Sequence, residues 1–269
     1  EKTNIPKTIA EKLSNNINQL SNNYNDLYMR MFNCEMYYAD IPKEFCGVFY
    51  FYKDNTIYIE KGKQVDNHLI SESIHYLQNF SKFNKKDNQV GICKFQEFNI
   101  FGLGINEAIV QYITILAMQE KFQRVNNDKI SIYTNDDVKY KYMVSLINQI
   151  MFLIDDNYAI ESCINSTENF EDNLYNTFEE NTQKIVKNFD AILTENGSCT
   201  RNEEKIINIY MQTQELIYKT YFSKTYKLIE TTEEEDLQVK KMVEFENIIG
   251  KYLDGSDNVF EEFKNDMNS

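Results

Sequence analysis

Ser71-Glu72-Ser73-Ile74-His75 lies in a stretch, from about Asp66 to Phe80, whose apolar spacing predicts a helix. Four residues of helix advance about 6 Å, close to the turn of about 5.4 Å. Positions 71 and 75 therefore share a face, and Glu72 sits beside them. Gly104-Ile105-Asn106-Glu107-Ala108 opens a second, strongly apolar stretch that predicts a helix from about Ile105 to Arg124. Residues 81–90 between the two are polar and read as a loop, and Gly91 to Phe101 reads as irregular and partly extended. The order of these two helices behind a β-rich segment decides the fold reading.

That β-rich segment is marked by aromatic and β-branched residues. Cys34 to Tyr38 is a short strand candidate, and Val48 to Tyr52 and Thr56 to Ile59 flank Lys53-Asp54-Asn55 as a hairpin. The Tyr and Phe residues of these strands are expected to form sheet core and faces. Ahead of them, Ile9, Leu13, Ile17, Leu20, Tyr24, Leu27 and Met31 form one apolar stripe, which predicts a single long helix beginning near Pro6. Beyond Asn126 the pattern predicts helices near 136–154, 168–195, 201–222 and 235–253, with a short acidic one near 257–266. Asn196-Gly197 supplies a helix stop. The expected fold class is α+β and predominantly helical, with a core over residues 1–125 and a helical lobe over 126–269.

Composition sets limits on function. The 269 residues carry a formal charge of −14, which disfavours nucleic acid as a partner. No apolar run approaches the length of a membrane span. The five cysteines are odd in number and widely spaced with no CxxC, which favours free thiols and a reducing, cytoplasmic setting. Cys34 and Cys46 are the one pair left open as a bridge. The acidic runs, Asp54, Asp136-Asp137 and Asp155-Asp156 among them, lack calcium-loop spacing.

The chemistry centres on residues 71–75. His-Glu-x-x-His on a helix holds zinc between two histidines, with the glutamate as general base. Here the glutamate and the second histidine stand, and Ser71 takes the first ligand position. A serine hydroxyl is short, neutral and outside the usual zinc ligand set. His68, the only other histidine, lies about 10.5 Å before His75 along a helix axis. Two nitrogens on one zinc stand within about 4 Å, so His68 does not repair the motif.

Ser71-Glu72-Ser73-Ile74-His75-Tyr76-Leu77-Gln78, followed by Gly104-Ile105-Asn106-Glu107-Ala108-Ile109-Val110-Gln111-Tyr112, resembles the gluzincin class of zinc metallopeptidases. In particular it resembles uncharacterised, presumed metallopeptidases of low-GC Gram-positive bacteria, and the resemblance covers roughly residues 45–120. The resemblance implies a zincin-like core, a small β-sheet with an active-site helix. It assigns Glu72 to the general base, His75 to the second histidine ligand and Glu107 to the carboxylate ligand. Ser71 departs from it, and no later histidine exists to stabilise a tetrahedral intermediate, a role a tyrosine could take.

The expected function is therefore a catalytically inactive, peptidase-like protein that binds a protein or peptide or acts as a scaffold, without a cofactor. Two alternatives stand beside it. One is an active zinc peptidase with a nonstandard metal site, using Glu72 to activate water. The other is a helical interaction protein acting through residues 126–269.

Overall fold

The computed structural model describes residues 4–82, 89–96, 99–126 and 130–230, with four isolated positions beyond. In chain order the elements are α1 (Asn4–Asn16), α2 (Tyr24–Phe32), β1 (Glu35–Tyr38), β2 (Val48–Phe51), β3 (Thr56–Ile59) and α3 (Asn67–Lys82). Then come β4 (Gln89–Val90), β5 (Cys93–Gln96), β6 (Asn99–Phe101), α4 (Leu103–Ala117), β7 (Gln123–Asn126) and β8 (Ser131–Thr134). Five helices follow: α5 (Lys141–Ile150), α6 (Asp156–Asn165), α7 (Asn169–Phe178), α8 (Thr182–Gly197) and α9 (Glu203–Glu230). The class is α+β and mostly helical. Two compact units are formed, one by Glu1–Lys121 with Asp155–Asn173, the other by Phe122–Ile154 with Leu174–Ser269. No helix among the described residues is long and apolar enough to cross a membrane.

In the first unit α3 is the hub. It packs against β2 and β3 on one side and against α4 and α6 on the other. Leu69, Ile70, Ile74 and Leu77 form its fully buried stripe, and Asp66 caps its start by accepting from Leu69 N at 3.1 Å. The sheet has the order β1-β3-β2, with β1 parallel and β2 antiparallel to β3. The hairpin turns through Asn55 at φ 58°, a left-handed position that asparagine tolerates. Helix α4 is apolar nearly all round, as a core helix must be.

Several sequence expectations are corrected. The single first helix is two, because the stripe is interrupted at Ile17, which is extended at φ −122° and ψ 108°. Just before it, Asn16 Nδ2 donates to Ala117 O at 2.6 Å, so its side chain serves the end of α4. Helix α4 does not reach Arg124. It closes at Ala117 in a Schellman motif, with Glu120 N on Ile115 O and Gln119 N on Leu116 O, both at 3.0 Å. Gln119 takes the left-handed position usually held by glycine, at φ 55°. Residues 123–126 and 131–134 pair as antiparallel strands, although the first was expected to end the helix and no strand was expected at the second.

The expected helix at 136–154 is confined to Lys141–Ile150. Helix α6 was not anticipated, although Asp155 caps it by accepting from Asn157 N at 2.9 Å. The expected helix at 168–195 is divided near Glu179, whose φ is 49°. Gly197 ends α8 as expected. None of the five cysteines is in a disulfide, so Cys34 and Cys46 form no bridge. The expected helices near 235–253 and 257–266 fall outside the described residues, apart from helical Leu237, Val239, Lys240 and Val243.

In the second unit α5 packs against β8, α8 and α9. Tyr210, Gln214 and Tyr218 recur at four-residue steps along α9 and bury a polar seam. Gln214 Nε2 donates to Tyr218 OH at 2.9 Å and to Tyr210 OH at 3.1 Å. Ser145 Oγ and Tyr210 OH share a hydrogen bond of 3.1 Å.

Candidate functional site

Helices α3 and α4 meet along a polar ladder. Gln111 Nε2 donates to Ser71 Oγ at 3.3 Å, His75 Nε2 stands 3.4 Å from Glu107 Oε1, and Gln78 Nε2 donates to Asn106 Oδ1 at 2.9 Å. Residue numbers rise along one helix as they fall along the other, so the two run antiparallel. Because rungs lie about one helical turn apart, Ser71, His75 and Glu107 fall on one seam. Exposed His68 is not part of it.

Glu72 leaves the seam and faces the sheet. Its Oε2 accepts from Tyr50 N at 2.9 Å. The reason lies in the ladder of β2. Glu60 N donates to Gly47 O at 2.8 Å, so that opposed pair is a hydrogen-bonded one. Such pairs alternate in antiparallel sheet. Tyr50, opposite Ile57, is therefore not bonded to β3, and on an edge strand its N–H points outward to Glu72.

Electrostatics bind the seam together. Burial alone would lower the pKa of His75. The charge and hydrogen bond of Glu107, with the charge of Glu72 and a bond to Gln78, outweigh it and push the value up to about 9. The ring is thus an imidazolium at neutral pH. Both nitrogens are donors in that state, Nε2 towards Glu107 and Nδ1 towards Gln78 Oε1 at 3.2 Å.

Behind the seam lies a second buried set that sequence reading did not identify. Gln78 Nε2 also donates to Cys163 Sγ at 2.9 Å, and Asn106 Oδ1 accepts from Ile92 N at 3.1 Å. Ser166 Oγ donates to Gln78 O at 3.0 Å and accepts from Gly91 N at 2.7 Å. Gly91 must be glycine here. Its φ is 59°, and a Cβ would stand 2.3 Å from Asn106 Oδ1. Gln78 and Gln111 both lie within the motif stretches, three residues after His75 and four after Glu107. Helical periodicity places each beside its motif residue, which was the available signal.

The donor set does not fit zinc. A catalytic zinc site needs about three protein ligands with lone pairs free for the metal. Ser71 offers only a neutral hydroxyl already engaged by Gln111, which leaves His75 and Glu107 as two ligands where three are needed. Cys163 lies behind Gln78 as a thiol. Burial pushes its pKa up to about 12, against the Gln78 hydrogen bond and with the help of the Glu107 charge. Among the described residues no group of three or more His, Cys, Asp or Glu is placed to hold a metal ion.

Tyr50 and Tyr76, beside the seam on α3's sheet side, are engaged within the chain. Tyr50 OH donates to Asn55 Oδ1 at 2.8 Å and accepts from Asn79 Nδ2 at 2.8 Å. Tyr76 OH donates to Arg30 O at 3.1 Å. Burial raises the pKa of both phenols.

No family model, no curated protein and no solved structure matches this chain.

Proposed function

We propose that this chain is a catalytically inactive, gluzincin-like protein that acts by binding a protein or peptide. One observation carries the reading. The residues at the three ligand positions are engaged within the chain itself, Ser71 with Gln111 and His75 with Glu107. A seam satisfied in this way holds two helices together, and with Ser71 at the first position it offers a metal only two protein ligands, His75 and Glu107. The motif's spacing and order supply the ancestry, and Glu72 is its vestigial base. Two of the five thiols, Cys46 and Cys199, are exposed. That suits a reducing compartment, and we place the protein in the cytoplasm on that ground.

The test is a hydrolysis assay of the whole chain on a mixed peptide library with added zinc, beside Glu72→Ala. The reading expects both proteins to be equally inert. Cleavage by the wild type that Glu72→Ala abolishes would establish the alternative, an active peptidase.

A further inference from the structure

The face of the β1-β3-β2 sheet turned away from α3 is built of aromatic rings. Register sets this out. Met36 pairs with Ile57 and Tyr50 with Ile57, and these face α3, so the alternate residues face outward. One outward row runs Tyr37, Tyr58, Phe49, and the next runs Glu35, Thr56, Phe51. The Tyr37 and Tyr58 rings lie 6.3 Å apart, Phe49 and Phe51 6.0 Å, and Phe45 covers Phe49 at 4.9 Å. Tyr37 is 49% exposed and Phe45 42%.

The charged residue among the outward strand positions is Glu35, and the adjoining turn carries Lys53 and Asp54. Tyr37 OH donates to Glu35 Oε2 at 3.1 Å, and Tyr58 OH donates to Asp54 Oδ2 at 3.0 Å. The two tyrosines thus carry carboxylates at their rims. Among the described residues neither carboxylate has a Lys or Arg partner. Lys53, beside Asp54 in the turn, is exposed and forms no ion pair with it. An aromatic face with carboxylates at its edge complements a cation, which gains from the ring quadrupole and from both charges. The Phe45–Phe49–Phe51 side complements an apolar group.

We propose that this sheet face binds a basic peptide segment, with an Arg or Lys side chain over Tyr37 and Tyr58 between Glu35 and Asp54, and an apolar side chain on Phe45 and Phe49. Two strand spacings separate Tyr37 from Phe49, about 10 Å. The cation lies between Tyr37 and Tyr58, about one and a half spacings or about 7 Å from Phe49; two residues of extended peptide span that distance and keep both side chains on one face, so the basic and apolar residues stand two apart. The site is separate from the α3–α4 seam and does not depend on whether the chain is a peptidase relative.

The test is an NMR titration of the whole chain with acetyl-Gly-Arg-Gly-Leu-Gly-amide. Shifts are expected on β1, β2 and β3. Binding should weaken about fivefold in Glu35→Gln/Asp54→Asn and by a similar factor in Tyr37→Leu/Tyr58→Leu, which keeps apolar area but removes the rings. A peptide with Gln for Arg should bind more weakly to the wild type and be indifferent to the carboxylate changes. Exposed Glu179→Gln/Glu180→Gln, in the second unit, should leave affinity unchanged. The proposal is overturned by no binding at millimolar peptide, by equal loss in the Glu179/Glu180 variant, or by equal affinity for the Gln peptide. It is also overturned if the face instead joins two copies of the chain, seen as a dimer that Tyr37→Leu/Tyr58→Leu dissociates.

Discussion

Gln111 Nε2 donates to Ser71 Oγ across 3.3 Å, about one turn from the contact of His75 with Glu107. The amide therefore lies where a ligand at position 71 would have to turn towards Glu107. Ser71→His supplies the missing donor, and Gln111→Ala clears the space beside it. The single variant is expected to bind zinc where the wild type does not. The double variant should bind about tenfold more tightly, the scale on which neighbouring groups tune a metal site. Isothermal titration of both with zinc checks this. Two folded variants that ignore zinc would show that positions 71, 75 and 107 are not aligned as ligands.

The pKa of His75 is raised in the folded chain, from 6.5 to about 9. A group whose folded value lies above its unfolded value stabilises the fold fully below the unfolded pKa. That contribution fades as pH rises through the folded one. Urea midpoints should therefore fall between pH 7 and pH 9.5 by more in the wild type than in His75→Gln. Parallel curves would remove the imidazolium from the account.

Gly91→Ala is expected to be among the most damaging single-methyl changes in the chain. The new Cβ would stand 2.3 Å from Asn106 Oδ1 and 2.5 Å from Gln78 Nε2, at a φ of 59°. Strain and overpacking together cost about 3 kcal/mol, read from chemical denaturation. Gly62→Ala is a useful control, because its φ is also positive, at 87°, but nothing lies within 4 Å of its Cβ. It should cost less than half as much.

The two motif helices and the β2–β3 hairpin were legible because each rests on local pattern, apolar periodicity for α3 and α4 and aromatic alternation for the strands. What sequence could not show was long-range. Cys163 read as one thiol among five, yet it closes the network behind His75 because α6 returns to pack on α3 and α4. Asn16 read as part of a helix, but its side chain is taken by a carbonyl 101 residues away. The end of α4 was missed because glutamine rather than glycine holds the left-handed turn at position 119. In the site itself, Ser71, His75 and Glu107 lie on one seam, while Gln78 and Gln111 stood in the motif stretches with no role that local pattern could assign.

Zinc binding by the unaltered chain tests the central claim most directly. Dialysed protein titrated with zinc at pH 7.5 should show no stoichiometric uptake at micromolar metal and no rise in melting temperature, because Ser71 leaves only two protein ligands, His75 and Glu107. One zinc per chain, bound tightly and lost in both His75→Ala and Glu107→Gln, would contradict it.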